Sequence, residues 1–419
     1  MELFKPLVSS RELHPNFVNT LRAPSASVRK VLLEWAKGFP DRDGKFIKEF
    51  QTTYNSSFWE LYLFAVLKEI GIKIDFEFNA PDFVAADEPL AIEATIASHA
   101  RDDTPEWEKR FEDIVDMDVF DAQAKAAIRA SNAFWAKSNA YLERYSKLPH
   151  MAGRSYVIAI SNYGTPDFNL LGDIPMQHVL YDNFDLGHLT KENGARVSLG
   201  LFKTGEFAHV SAVLYSSVAT FGKARALCVD ANEFVFEAYR IRNNIEPILI
   251  RAHKKDYEES LTDGLRLFTN PYATTPINVN LFDDWGVRTF EANKNGDFLV
   301  SCHPDGDLCA RQTYQMVGPG KAVTPNMIEM PAYVTHAKTA RIAAGLSQNA
   351  LAAMVSERCD RGFEFDKALV KHIEACKPLS FIEIENYVSA LLSLPQTSCV
   401  PDIVFSLRKR PRPPARGFR

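Results

Sequence analysis

The sequence has few features of a secreted, membrane-bound or thiol-ligated metal protein. It holds only six cysteines among 419 residues, and no two of them form a Cys-x-x-Cys pair, so a finger-type zinc site is not expected. Its first residues contain no apolar run typical of a secretory signal, and no apolar stretch approaches the ~18 residues that cross a bilayer. These absences predict a soluble, cytoplasmic protein with reduced thiols and no membrane partner.

Two common catalytic signatures are also missing. The chain contains neither a glycine-rich phosphate loop nor a Gly-x-Ser-x-Gly elbow, and it shows no internal repeat. An activity on phosphate or acyl groups must therefore rest on other residue types.

The charge is distributed unevenly along the chain. The formal net charge is −5, but residues 331–419 hold 13 Lys and Arg against 8 Asp and Glu, a net +5 that leaves −10 for the first 330 residues. This distribution suggests that the basic residues 331–419 contact an anionic partner, while the acidic first 330 residues have a different function.

Composition and periodicity predict four regions. They are an N-terminal helical arm (1–45), an α/β domain with an extended C-terminal half (46–330), an all-helical domain (331–395) and a flexible basic tail (396–419). The last twelve residues hold six basic side chains and three prolines, a composition that cannot pack a core.

Within the second region the hydrophobic pattern predicts alternating helices and strands. We expect one helix over 46–70 and another helical stretch over 105–147. Strands are predicted at 72–78, 82–85, 90–97 and 155–162, followed by a hairpin formed by 197–203 and 207–216.

Three acids lie on elements that are otherwise apolar. Glu60 is in an aromatic-rich helix, Asp82 follows Pro81 at the start of an extended segment, and Glu93 lies inside the apolar run 90–97. A carboxylate buried alone is costly, but several carboxylates from different elements are tolerated when they share a cation. The stretch 58–97 is therefore interpreted as a metal site.

The order of these elements resembles the PD-(D/E)xK nuclease superfamily. The resemblance rests on Glu60, Pro81-Asp82 and Glu93-Ala94-Thr95, and it covers residues 46–163. It implies a restriction-endonuclease-like core, a mixed sheet flanked by helices, that hydrolyses phosphodiester bonds. It further implies that Asp82 and Glu93, with Glu60 as a third ligand or as a group that orients a metal-bound water, hold Mg²⁺ or Mn²⁺.

The sequence departs from that family at one position. Where the motif has a lysine, two residues after the second acid, this chain has Thr95, which can hydrogen-bond a water but carries no positive charge. Some family members recruit a lysine from the next helix. Lys137 is the best replacement because it is a lone lysine among apolar neighbours, and Gln123 and Lys125 are weaker candidates.

The helical region after residue 331 resembles the Cro/repressor-type helix-turn-helix domain. The likeness lies in 340–352 and 370–374, with Gly345 closing one helix and Ser347 capping the next. It implies DNA contacts from the side chains Gln348, Asn349, Lys367, Lys371 and His372, and the tail adds Arg408, Lys409, Arg410 and Arg412. The acidic insertion 356–365 would repel phosphate, so a protein-binding domain or a plain helical bundle stays open.

Together these features favour a Mg²⁺-dependent DNA endonuclease with a DNA-binding helix-turn-helix, acting in defence against foreign DNA and compatible with a homodimer. One alternative is a DNA-binding regulator with a catalytically inactive nuclease-like body, and another is an RNA-directed nuclease. A cation next to Asp82 and Glu93 favours the enzyme, and its absence favours the regulator.

Overall fold

The structure is a computed structural model. The residues that it describes are 1–22, 25–41, 44–100, 103–108, 119–165, 168–183, 189–191, 194–229, 234–242, 246–303, 305–315, 347–358, 370 and 403–407.

The described residues form a mixed α/β fold. Their helices are α1 (Pro15–Leu21), α2 (Ala26–Trp35), α3 (Phe46–Thr52), α4 (Tyr54–Glu69), α5 (Val119–Glu143), α6 (Ile174–Tyr181), α7 (Phe221–Ala226), α8 (Asn280–Asp283) and α9 (Gln348–Arg358). Their strands are β1 (Phe83–Val84), β2 (Leu90–Ser98), β3 (Ser155–Tyr163), β4 (Ala212–Ser216), β5 (Phe234–Arg242), β6 (Glu246–His253), β7 (Arg266–Thr269), β8 (Arg288–Ala292), β9 (Phe298–Cys302), β10 (Asp307–Gln315) and β11 (Ile403–Leu407).

The strands form one large mixed sheet and one small antiparallel sheet. The large sheet has the order β1-β2-β3-β4-β7-β8-β9, and β11 lies beside β9 as a further strand. β2, β3 and β4 run parallel, and β1 runs antiparallel to β2. β7 runs antiparallel to β4 and parallel to β8, β8 and β9 are antiparallel, and β11 runs parallel to β9. The small sheet has the order β10-β5-β6.

Helices α4 and α5 pack on opposite faces of the large sheet. Side chains alternate along a strand, so Ile92 joins the apolar cluster that contains α4, whereas Ala91 and Ala97 join the cluster that contains α5. α4 is buried on nearly all sides, as its continuous apolar sequence predicts. Leu3, Phe17 and other residues of the segment predicted as an N-terminal arm pack into the α4 cluster.

Several predicted elements are confirmed. β1, β2 and β3 occupy the segments predicted at 82–85, 90–97 and 155–162. The single helix predicted over 46–70 is divided at Thr53, whose φ of −125° and ψ of 48° are not helical. The hydroxyls of Thr52 and Thr53 donate to the carbonyls of Lys48 and Glu49, a bonding pattern that bends helices.

Two strand predictions are wrong. Segment 72–78 makes only an isolated bridge, Ile74 to Ala85, because β1 is two residues long and offers little edge to pair with. The hairpin of 197–203 and 207–216 does not form. The N–H groups of Leu201 and Phe202 donate instead to carbonyls near the end of α6, and β4 pairs with β3 and β7.

The C-terminal region is described only in part. α9 begins after Ser347, whose hydroxyl accepts a hydrogen bond from the Ala350 N–H at 3.1 Å, so the predicted cap is formed. β11 falls within the segment predicted as a flexible tail. The rest of the predicted helix-turn-helix and tail lies outside the described residues, except for residue 370.

None of the helices among the described residues is both long enough and apolar enough to cross a membrane.

Candidate active site

The site lies where β2 extends past its short neighbour β1. β1 pairs with β2 only at Phe83–Ile92 and Val84–Ala91, whereas β2 continues to Ser98. Beyond the end of β1, the Ala94 N–H donates to the Asp82 carboxylate at 2.7 Å. The Asp82 N–H in turn lies 3.3 Å from Glu93 Oε2. The sheet edge therefore places these two acids beside each other.

Glu93 is buried and held by two donors. It is only 3% exposed, on the face of β2 that α5 covers. Lys137 on α5 donates to Glu93 Oε1 at 2.6 Å, and the Tyr145 hydroxyl donates to the same oxygen at 3.0 Å. Oε1 is thus fixed by a cation and a phenol, while Oε2 is directed to the Asp82 side.

Glu60 lies on α4, the helix that packs on the opposite face of the sheet. Its neighbour Trp59 donates to the Ala159 carbonyl of β3 at 3.1 Å, which fixes α4 against the sheet. Burial raises the pKa of Glu60 to about 8 from an ordinary 4.5, and the Asp82 carboxylate is the next cause. Glu49 and Glu93 act in the same direction and Lys137 opposes them, so the acids share one electrostatic environment.

The structure separates the candidates for the missing motif lysine. Lys137 reaches Glu93 with a side chain that is 26% exposed. Lys125 pairs with Asp121 at 2.8 Å instead, and Gln123 is buried without charge. Thr95 is half-buried, two residues beyond Glu93 on the same face of β2. The cation beside the acids therefore comes from α5.

Tyr145 was missed by the sequence reasoning. It is 7% exposed, and burial followed by the Glu93 charge raises the pKa of its hydroxyl well above the usual range. A second tyrosine, Tyr156, donates to the Lys137 carbonyl at 3.1 Å. The available signal was the spacing of Tyr145, eight residues after Lys137, within the stretch predicted as helical over 105–147.

The residues present suit a hard divalent cation. Asp82, Glu93 and Glu60 supply only oxygen ligands, and Mg²⁺ needs just one or two protein carboxylates because it keeps several waters. Burial, and then the Asp82 carboxylate, raise the pKa of Glu60, and a bound cation would act against both effects. Within the described ranges, no three or more His, Cys, Asp or Glu side chains form a group that could hold a metal ion, and those ranges include Glu60, Asp82 and Glu93.

The predicted DNA contacts are described only at the start of α9. Gln348 is half-buried and Asn349 is exposed in its first turn. Lys367, Lys371, His372, Arg408, Lys409, Arg410 and Arg412 lie outside the described residues.

Comparison with known proteins finds no match among family models, curated proteins or solved structures.

Proposed function

We propose that this protein is a Mg²⁺-dependent DNA endonuclease with a restriction-endonuclease-like core. One observation carries the proposal. A lysine from α5 contacts Glu93, whose other carboxylate oxygen accepts from the Asp82 N–H at the edge of the sheet. In this proposal Lys137 is the cation that distinguishes a hydrolase from an inactive nuclease-like body, and its contact with Glu93 supports that role.

Each side chain has a role in phosphodiester hydrolysis. Asp82, Glu93 Oε2 and Glu60 would hold the metal, which supplies charge neutralisation at the phosphoryl oxygen and a more acidic water when bound. Lys137 neutralises Glu93 and places a positive charge at the reacting phosphate. Tyr145 fixes the rotamer of Glu93, so that Oε2 rather than Oε1 is presented to the metal.

The remainder of the proposal concerns DNA. In this proposal the helix that Ser347 caps is the second helix of a helix-turn-helix domain, and its residues Gln348 and Asn349 contact the DNA backbone. The basic residues beyond it add non-specific attraction to phosphate. A cleaving N-terminal part and a DNA-binding C-terminal part agree with the net charge of −10 on the first 330 residues and of +5 on residues 331–419.

Plasmid cleavage tests the proposal. Asp82→Ala and Glu93→Ala should each abolish Mg²⁺-dependent cleavage, because each removes a ligand, while DNA binding in a gel-shift assay survives. Asp87→Ala is the matched control, since Asp87 is an exposed acid of the same β1–β2 turn that pairs with Lys73. Cleavage at equal rates by the parent and by Glu93→Ala would contradict the proposal.

A further inference from the structure

Segment 144–150, between α5 and β3, lies along the carboxylate site and contacts both acid-bearing elements. At its start, the Tyr145 hydroxyl donates to Glu93 Oε1 at 3.0 Å. At its end, His150 Nε2 lies 2.8 Å from the carbonyl oxygen of Ala80, two residues before Asp82. The residues between these contacts therefore border the site from Glu93 to Asp82.

Two basic side chains of this segment point to solvent. Arg144 and Lys147 are both exposed, and neither forms an ion pair with any residue in the described parts of the chain. The Arg144 guanidinium lies 5.3 Å from the centre of the Tyr145 ring, so one phenol ring separates its charge from Glu93.

The other cations nearby are already engaged. Lys137 donates to Glu93, and the Arg154 guanidinium donates to the backbone carbonyls of His150, Ala85 and Glu88. Arg144 and Lys147 thus remain as the charges at this border that can contact a ligand.

A polyanionic substrate such as DNA is repelled by the carboxylates of this site. The site carries an excess of carboxylates, and like charges repel at the short distances over which salt does not screen them. A substrate with one negative charge per phosphate needs positive groups beside the acids to be held there. Solvent-facing cations next to an acidic centre meet that need.

We propose that Arg144 and Lys147 form a phosphate-binding rim for DNA, contacting backbone phosphates that flank the reacting phosphodiester. This rests on the proposed nuclease function, whose substrate contacts it specifies. Because the rim meets phosphates rather than base edges, it holds and orients DNA of any sequence, and the reading of sequence is left to other parts of the chain.

The salt dependence of DNA binding tests the rim. The full chain is titrated onto a fluorescently labelled, blunt-ended DNA duplex in EDTA, where no hydrolysis occurs, and anisotropy is recorded over a range of salt concentrations. Arg144→Gln/Lys147→Gln should weaken binding about tenfold and lower the slope of log K against log salt by about 2, because two phosphate contacts are lost.

Two further double variants serve as controls. Arg144→Lys/Lys147→Arg preserves both charges and should keep the slope of the parent. Arg196→Gln/Lys255→Gln removes the same charge from exposed positions elsewhere and should leave the slope unchanged. Thermal unfolding of each variant, with the same midpoint as the parent, shows that the fold is intact.

The possible results distinguish a failure of the proposed rim from a failure of the proposed nuclease activity. An unchanged slope in Arg144→Gln/Lys147→Gln, or an equal loss in the control pair, overturns the rim even if the parent cleaves plasmid. A reduced slope specific to the rim variant, in a parent that does not cleave with Mg²⁺, supports the rim as a DNA-binding surface and rejects the hydrolase. A parent that does not bind the duplex overturns both.

Discussion

Two of the groups of buried charged side chains in the described part of the protein differ in how their charges are balanced. At the β2 edge, Asp82 and Glu93 lie beside each other, Lys137 contacts Glu93, and the charges of both acids raise the pKa of Glu60. The second group, here termed the ion network, surrounds the turn after β6 and is defined by its members: Lys223, Arg240, Glu259, Asp263 and Arg311. The network thus has three cations for two acids.

The polar groups of the ion network are extensively paired. Arg311 donates to Glu259 at 2.5 Å, and the Tyr257 hydroxyl donates to the other Glu259 oxygen at 2.7 Å. Lys223 contacts Glu259 and also donates to the carbonyls of Ser260 and Asp263. These contacts fasten the turn after β6 to α7 and β10, so the network has a structural task.

The pKa values of two glutamates, Glu259 in the ion network and Glu60 at the β2 edge, are shifted in opposite directions. Burial alone would raise the pKa of Glu259, but the Arg311 guanidinium and the Lys223 ammonium hold that pKa below its usual value. Burial raises the pKa of Glu60, and its acidic neighbours raise it further. Removing one partner of a buried ion pair destabilises a fold strongly, whereas buried acids with few cations beside them form a candidate site for an external cation.

Breaking the ion network should have the largest effect on stability. Glu259→Gln leaves Lys223 and Arg311 without their shared carboxylate, so the free energy of unfolding should fall by about 3–5 kcal/mol. Urea unfolding followed by circular dichroism measures the change. Glu258→Gln, at the exposed preceding position, should be near neutral. A Glu259→Gln variant as stable as the parent would refute the structural role.

Removing the one lysine of the site should affect cleavage rather than folding. Lys137→Ala should slow Mg²⁺-dependent plasmid cleavage about 100-fold, the typical cost of one preorganised electrostatic group. Lys125→Ala, on the same helix but paired with Asp121, should cleave like the parent. The role of Lys137 is contradicted if both variants cleave equally well.

The smallest expected effect is a pH-dependent change at Glu60. Because its folded-state pKa, raised by burial and then by Asp82, is about 8 against an ordinary 4.5, the folded state keeps a proton that the unfolded state loses between those values. Stability in EDTA should therefore fall as pH rises through that window and level off above it.

Glu60→Gln removes the carboxyl group whose ionisation destabilises the folded state at high pH. At pH 9 in EDTA it should be more stable than the parent by about 1–3 kcal/mol, after a discount for partial solvent screening, and at pH 4 the two should be alike. Glu77→Gln, an exposed control, should follow the parent at both pH values. A gain that is the same at pH 4 and pH 9 would show that charge is not its cause.

The sequence predicted the central strands and the pairing of Lys137 with the acids because local patterns carry that information. β2 and β3 are apolar runs with clear ends, and Lys137 is conspicuous in an apolar helix. The contact between the Asp82 carboxylate and the Ala94 N–H could not be predicted from the sequence. It depends on where β1 stops pairing with β2.

Most of the elements that the sequence did not predict depend on hydrogen bonds between segments far apart in the chain. β10 pairs with β5, which lies some seventy residues earlier in the chain. Segment 197–203 has the composition of a strand but is bonded to the end of α6. Thr53 interrupts the helix after Phe46 through side-chain bonds to the preceding turn, which helix periodicity does not detect.

The most direct test of the account is a calorimetric titration of the full chain with Mn²⁺ at neutral pH. The carboxylate excess at the β2 edge predicts a binding event that Glu93→Ala abolishes and the matched Asp87→Ala retains, with proton release as the cation lowers the pKa that burial and Asp82 raise at Glu60. Binding that is undiminished in Glu93→Ala, or no binding to the parent, would contradict the claim that this edge is a metal-dependent site.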